Sequence, residues 1–434
     1  MDWLTADFLA AELRQRREEG CPVADLEARL TQLQAQGAVP ARALLQLWEE
    51  ATARTPAPDF PYDEPSDLAT IRERRPPGPR RLRGPVSDLE DRLYGAWLGR
   101  AAGCLLGKPV EGWSRDRIRK VLEHAGAYPL TDYFPWVDNP PPDADYRQRP
   151  RNWFRGFITH MVRDDDMDYP LIGLKVLETV GPDFTSQDIA QAWLTSLPYQ
   201  LVYTAERVAY RNLVNGLEPP ATATYRNPYR EWIGAQIRAD IWGWINPGWP
   251  ERAAEMAYRD ARVSHVKNGL YGAMFVAAML SAAFVTRDPH EIVAIGLSEI
   301  PATSRLAEAV RQVVRWCAED RDWQRTTDRI LAAYGHYHWV HTINNAALIV
   351  MGFLYAEGEL EPAITRTVMG GFDTDCTGAT VGSLIGVLRG ARGLPAKWVG
   401  PLNDRLESIV VGMTDNRFSD LARRTAVFAR AALA

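Results

Sequence analysis

Cysteine is scarce in this 434-residue chain, and its four copies form no pairs. Cys21, Cys104, Cys317 and Cys376 lie far apart with no CxxC spacing, which excludes a disulfide framework and a cysteine-built zinc site. Basic surplus is missing as well: 50 Lys and Arg against 55 Asp and Glu leave a net charge of −5. The footprint of a nucleic-acid binder is therefore lacking. Long hydrophobic runs are absent too. The longest, about Gly269 to Val285, contains Gly, Tyr and Ser and is too short and mixed for a membrane span. The start, Met1-Asp2-Trp3-Leu4, soon becomes charged, unlike a secretory signal. A soluble, cytoplasmic protein with no membrane partner is expected. Two-residue alternation is rare, and no repeat of fixed period occurs.

Helical spacing fills the space left by those absences. Leu26, Leu30 and Leu33, then Leu44, Leu47 and Trp48, mark short amphipathic helices within residues 1–53. Proline dominates from Thr55 to Pro85, ending in the basic stretch Arg72 to Arg83. Residues 54–87 read as an extended linker or strap, its arginines a solvated run. Residues 88–434 read as one main domain of helices, including Leu89–Leu106, Pro170–Thr179, Gly269–Val285, Thr342–Ala356 and Gly378–Arg389. Thr185 with Asp188 resembles a capping box. The fold class expected is all-α, a multi-helix bundle with elaborate loops.

Two acidic runs carry the chemistry: Arg163-Asp164-Asp165-Asp166-Met167-Asp168 and Gly371-Phe372-Asp373-Thr374-Asp375-Cys376-Thr377-Gly378. Each abuts a stretch that reads as buried helix. Burying adjacent carboxylates unpaired costs several kcal/mol per ion. A hard divalent cation such as Mg²⁺, Mn²⁺ or Ca²⁺ resolves that conflict. Glycines recur every fourth residue at Gly95, Gly99, Gly103 and Gly107, and again at Gly378, Gly382 and Gly386. Such stripes let two backbones approach closely, so tightly crossing helices are expected beside the acidic site. Aromatic groups before the first run, Tyr133, Trp136, Trp153 and Phe154, either stack on a base or sugar or pack the loop. Arg226 and Arg230 suit phosphate or carboxylate recognition, or else form surface salt bridges. His341 opens a helix and either faces the site or caps that helix. His336 and His338 do not share a helix face, which argues against a zinc pair.

The glycine-rich Gly95–Gly107 series followed by Lys108-Pro109-Val110-Glu111, then Asp164-Asp165, Ser264-His265 and Phe372-Asp373-Thr374-Asp375, resembles the ADP-ribosylglycohydrolase family in order and approximate spacing over about residues 88–430. The resemblance implies an all-α fold around one or two Mg²⁺ or Mn²⁺ ions. It also implies hydrolysis of the glycosidic bond of an ADP-ribosyl group. Asp164, Asp165, Asp373 and Asp375 match the family's metal carboxylates, Glu111 a glutamate near the ligand, and His265 a histidine beside the ribose or phosphates. Three positions depart from the family's threonines: Arg163, Asp166 and Cys376. A neutral thiol is a poor ligand for a hard cation; the hydroxyl of Thr374 or Thr377, or a carboxylate oxygen of Asp166, is left to substitute. The expected site thus has metal ligands Asp164, Asp165, Asp373, Asp375 and Thr377, with Glu111, Asp165 and Asp166 available for proton transfer. His265, Arg226, Arg230, Trp136 and His341 are the expected substrate contacts. The substrate is an ADP-ribosylated protein, an ADP-ribose ester or a smaller nucleoside-like N-glycoside. Two rival readings are an isoprenoid-type synthase, whose DDxxD pattern is met by Asp164, Asp165 and Asp168, and a non-catalytic ADP-ribose binder.

Overall fold

The computed structural model describes residues 4–433. Among these, twenty-one α-helices, seven short 3₁₀ helices and one two-stranded antiparallel sheet, Arg405–Glu407 against Asp415–Arg417, form the regular structure. The fold is all-α. Most helices expected from spacing occur within a few residues, and the Thr185–Asp188 capping box closes as anticipated.

The glycine stripes meet. The helix Leu89–Gly107 runs antiparallel to the helix Thr374–Arg389, with Gly95 against Gly386, Gly99 against Gly382 and Gly103 against Gly378. A Cβ placed on Gly103 would fall 1.9 Å from the Gly378 carbonyl oxygen. No side chain fits there, so the two backbones touch directly. Glycine costs about 1 kcal/mol relative to alanine inside a helix, and close packing along the whole seam offsets that cost. The seam has a positional consequence. Its last contact sets Gly107 against Thr374, so the end of the first helix lies beside the start of the second.

Both acidic runs begin helices instead of preceding them. The first helix starts at Asp165 and continues through Pro170 to Val180. Proline lacks the N–H that would serve the carbonyl four residues back. That carbonyl, of Asp166, accepts instead from the buried guanidinium of Arg100 at 2.7 and 3.0 Å. The helix over the second run starts at Thr374, four residues before the expected Gly378; of its first-turn N–H groups, that of Cys376 donates to Asp375 Oδ1 at 3.1 Å.

Helices Ala6–Glu18, Ala24–Ala35 and Ala41–Ala53 enclose a small core of their own around Leu9, Leu13, Leu26, Leu30 and Leu47. They join the main body through buried ion pairs, with Arg230 held between Glu12 and Glu19. The proline-rich segment runs along that body. Glu64 bonds Arg305 and Asn268, and the Leu82 N–H donates to the Gly248 carbonyl. Its arginines are not all solvated, as the sequence suggested: Arg75 and Arg80 both pair with the buried Glu299. The apolar stretch near Gly269 forms the helix Asn268–Ala283, buried along its whole length. No helix among the described residues is long and apolar enough to cross a membrane.

Candidate metal centre

The end of the glycine seam builds the site. Past Gly107 the chain makes a short turn through Lys108-Pro109-Val110 and delivers Glu111. The loop before Asp373 is stitched to this turn: the Gly112 N–H donates to the Phe372 carbonyl, and the Phe372 N–H to the Trp113 carbonyl. Gly371 has φ +85°, and a Cβ there would lie 2.7 Å from the Trp113 carbonyl oxygen; this crossing needs glycine. The Asp165–Val180 helix supplies the third side of the site. A cavity of about 540 Å³ results, with Glu111, Asp164, Asp165, Asp166, Asp373 and Asp375 at its acidic end.

Among the described residues three sets of ligand atoms converge, the members of each lying within 4.8 Å of one another: Glu111 with Asp373 and Asp375; Asp166 with Asp375 and Cys376; and Asp164 with Asp166 and Cys104. Only the first is made wholly of carboxylates. Burial and the surrounding carboxylates push both thiols, of Cys104 and Cys376, well above their ordinary range, so they stay neutral and poorly suited to a hard cation. The all-oxygen triad fits Mg²⁺ or Mn²⁺ by donor type.

The charges are unevenly compensated. Lys108 Nζ donates to Asp164, which also caps its helix by accepting from the Asp166 N–H at 2.9 Å. Burial pushes the Asp164 carboxyl up, but the ammonium more than offsets this and holds it low. Arg100 bonds Asp166 Oδ1 and Asp240 Oδ2, both at 2.9 Å. Glu111, Asp165, Asp373 and Asp375 form no ion pair among the described residues. Repulsion from Asp375, then burial, pushes Glu111 up to about 9. Burial and Asp164 push Asp165 up to about 7. Burial, then Asp375 and Glu111, raise Asp373 strongly.

These shifts predict a pH-dependent response to metal. A carboxylate whose folded pKa is raised binds its proton more tightly in the fold than in the unfolded chain. Stability is therefore lost as pH rises from about 4 toward the raised values near 7 and 9. In chelator, the melting temperature is expected to fall across that range. Added Mn²⁺ should raise it, and by more at about pH 8.5 than at about pH 5.5, where protons compete for the same oxygens. Calorimetry at the two pH values checks this; a metal-induced rise independent of pH would contradict it.

Away from the acidic end the cavity is lined by aromatic rings together with aliphatic side chains and the polar Arg163, Thr204 and Glu206. Trp232 stacks on His338 with centroids 4.1 Å apart and planes at 10°. Trp153, Tyr203 and Trp339 complete the walls. Lys108 lies 4.7 Å from the Trp153 ring centroid. Burial pushes His338 down to about 4, keeping it neutral.

Several expected contacts lie elsewhere. Arg230 is buried between Glu12 and Glu19, so its charge is already matched within the fold. His265 is buried and bonded to Ser264 Oγ at 2.8 Å. His341 caps the Thr342–Leu354 helix by accepting from the Ile343 N–H, and is buried. Arg226 lies over Tyr225, and Trp136 packs on Phe154; neither lines the cavity. Thr377 is buried with its hydroxyl toward the Thr374 carbonyl at 3.4 Å, and Thr374 Oγ1 donates to the Gly107 carbonyl; neither threonine lines the cavity. Asp168 turns away to Arg163 and the Ile409 N–H, and the DDxxD pattern does not present its three carboxylates to one cavity. The sequence assigned no site role to Lys108, Trp232 or Trp339, and His338 entered only as half of a rejected zinc pair. Lys108 carried a signal, standing between the last seam glycine and Glu111.

The family model described as ADP-ribosylglycohydrolase matches residues 85–430. An uncharacterized protein of Archaeoglobus fulgidus is 23% identical over 330 residues, covering 73% of this chain and 93% of that protein. A solved structure titled "ADP-ribosylglycohydrolase-related protein complex" is similar over 80% of this chain and 99% of its own, at 18% identity and a TM-score of 0.49. With its glycine seam and acidic cavity both inside the matched span, the chain belongs to the ADP-ribosylglycohydrolase family.

Proposed function

We propose that the protein hydrolyses the glycosidic bond at the anomeric carbon of a ribosyl group, with Mg²⁺ or Mn²⁺ held by Glu111, Asp373 and Asp375. The observation that carries this reading is the convergence of those three carboxylates, none in an ion pair among the described residues, at one end of a cavity with aromatic walls. Such an ion supplies Lewis acidity and a lowered pKa for water at the site.

The chain's own groups do the rest. The aromatic walls, Trp232 above all, offer flat faces for a base. The acidic end accepts hydrogen bonds from ribose hydroxyls. A water oxygen bonds to the anomeric carbon as the bond to the leaving nitrogen or oxygen breaks. A carboxylate oxygen of Asp165, which is not among the three that would hold the ion, takes the water's proton, and that proton is passed on to the leaving atom, so that the products are the free ribosyl group and the protonated leaving group. The unpaired negative charge around the ribose stabilises the oxocarbenium character of the transition state. ADP-ribosylated protein is the substrate favoured by the family, and a nucleoside-like N-glycoside fits the same chemistry.

The test is release of ADP-ribose from ADP-ribosylated protein, or of base from a nucleoside, with Mn²⁺. Loss of release in chelator and recovery on adding Mn²⁺ are expected. Release indifferent to chelator would sink the metal role. Calorimetric binding of ADP-ribose without any turnover would make the cavity a binding site only.

A further inference from the structure

The two halves of the acidic cavity are compensated differently. On one side, Lys108 Nζ, on a side chain only 11% exposed, bonds Asp164. Arg100, fully buried, bonds Asp166. The nearby soft atoms, Cys104 and Cys376 Sγ, add no hard donor. On the other side, Glu111, Asp373 and Asp375 converge and none of them forms an ion pair among the described residues, the Lys108 ammonium being bonded to Asp164. A second divalent ion between Asp164 and Asp166 would have to displace an ammonium that already holds one carboxylate, and would meet the guanidinium on the other. Lys108 is not free to leave cheaply: it follows Gly107 at the end of the seam, is followed by Pro109, and lies against the Trp153 ring. Arg163, at the edge of this half, points to Asp168 and the Leu201 carbonyl and offers no oxygen.

We propose that Lys108 is a built-in cation occupying one of two cation positions, so that the centre takes a single divalent ion, on Glu111, Asp373 and Asp375. This rests on the reading of the cavity as a divalent-metal centre. A fixed ammonium differs from a metal ion in kind: it neutralises charge and donates hydrogen bonds, but coordinates no water. Water activation is then confined to the Glu111 side.

Manganese binding followed by paramagnetic resonance tests this without an activity readout. The wild-type protein is expected to bind one Mn²⁺ per chain and give the six-line spectrum of an isolated ion. Lys108→Met is expected to bind two, with spectral coupling between them. Asp164→Asn, whose carboxylate is already committed to Lys108, should keep the single ion, whereas Glu111→Gln should lose it at stoichiometric Mn²⁺. Two coupled ions in the wild-type protein would overturn the inference and leave the metal reading intact. A folded Lys108→Met that still binds one ion, or loss of the ion in Asp164→Asn, would also overturn it. Should Lys108→Met fail to fold, the wild-type spectrum and the Asp164→Asn and Glu111→Gln pair decide. No Mn²⁺ bound at all would remove the metal reading itself.

Discussion

Asp375→Asn is expected to lower turnover by about 10³-fold, roughly 4 kcal/mol of transition-state stabilisation. Asp375, like Asp166, belongs to two of the three convergent sets, and unlike Asp166 it belongs to the all-carboxylate one and forms no ion pair among the described residues, so its loss removes a ligand atom from the proposed metal site. Asparagine keeps the volume and one oxygen, but not the charge that holds a cation. The same change should stabilise the metal-free protein. Asp375 is the largest cause of the raised Glu111 and a principal cause of the raised Asp373. Removing it relieves the repulsion that chelator exposes. Activity down with the metal-free melting temperature up is a signature that a purely structural aspartate would not give. Steady-state kinetics with Mn²⁺ and melting in chelator read both halves. Turnover within tenfold of wild type, or a lowered melting temperature, would contradict the assignment.

Arg100→Met should cost about 3–5 kcal/mol of stability, the range for removing one partner of a buried ion pair. The guanidinium is completely buried and bonds Asp166 Oδ1, Asp240 Oδ2, the Ile237 carbonyl and the Asp166 carbonyl. Methionine matches its length and leaves two carboxylates uncompensated. It also orphans the carbonyl that Pro170 cannot serve. Denaturant unfolding measures the loss. Adding Asp240→Asn should recover part of it, because one of the two stranded charges is then gone. A loss below about 1 kcal/mol would mean that water replaces the guanidinium at little cost.

Much of the architecture was readable from local pattern. Helical spacing placed most of the helices, and the capping box at Thr185 closed as its residues implied. The fourfold glycine spacing announced a close helix crossing, and Gly103 and Gly378 touch as expected. The helix starts were less legible. Acidic residues at a helix N-terminus resemble an acidic turn in sequence, and only the apolar stretch after them showed periodicity. Pro170 suggested a boundary because the lost hydrogen bond normally ends or kinks a helix; Arg100, distant in the chain, made that bond up.

The site divided along similar lines. Asp164, Asp165, Asp373, Asp375 and Glu111 announced themselves by unusual density of charge or by place in a motif, and the fold brings all five to one cavity. Arg226, Arg230 and His341 stood out for what their side chains can do, and His265 for its place in the family resemblance. An arginine that can grip a phosphate can equally hold Glu12 and Glu19, and a histidine beside a helix start can cap it. Sequence alone determined the helical class, the seam and the acidic runs, because periodicity, small size and clustered charge are properties of neighbouring residues. Which cation answers which carboxylate was decided only by tertiary structure. Lys108 meets Asp164, Arg100 meets Asp166 and Arg230 meets the N-terminal helix because packing sets which groups lose water together, and charges without water must find a partner or a metal ion.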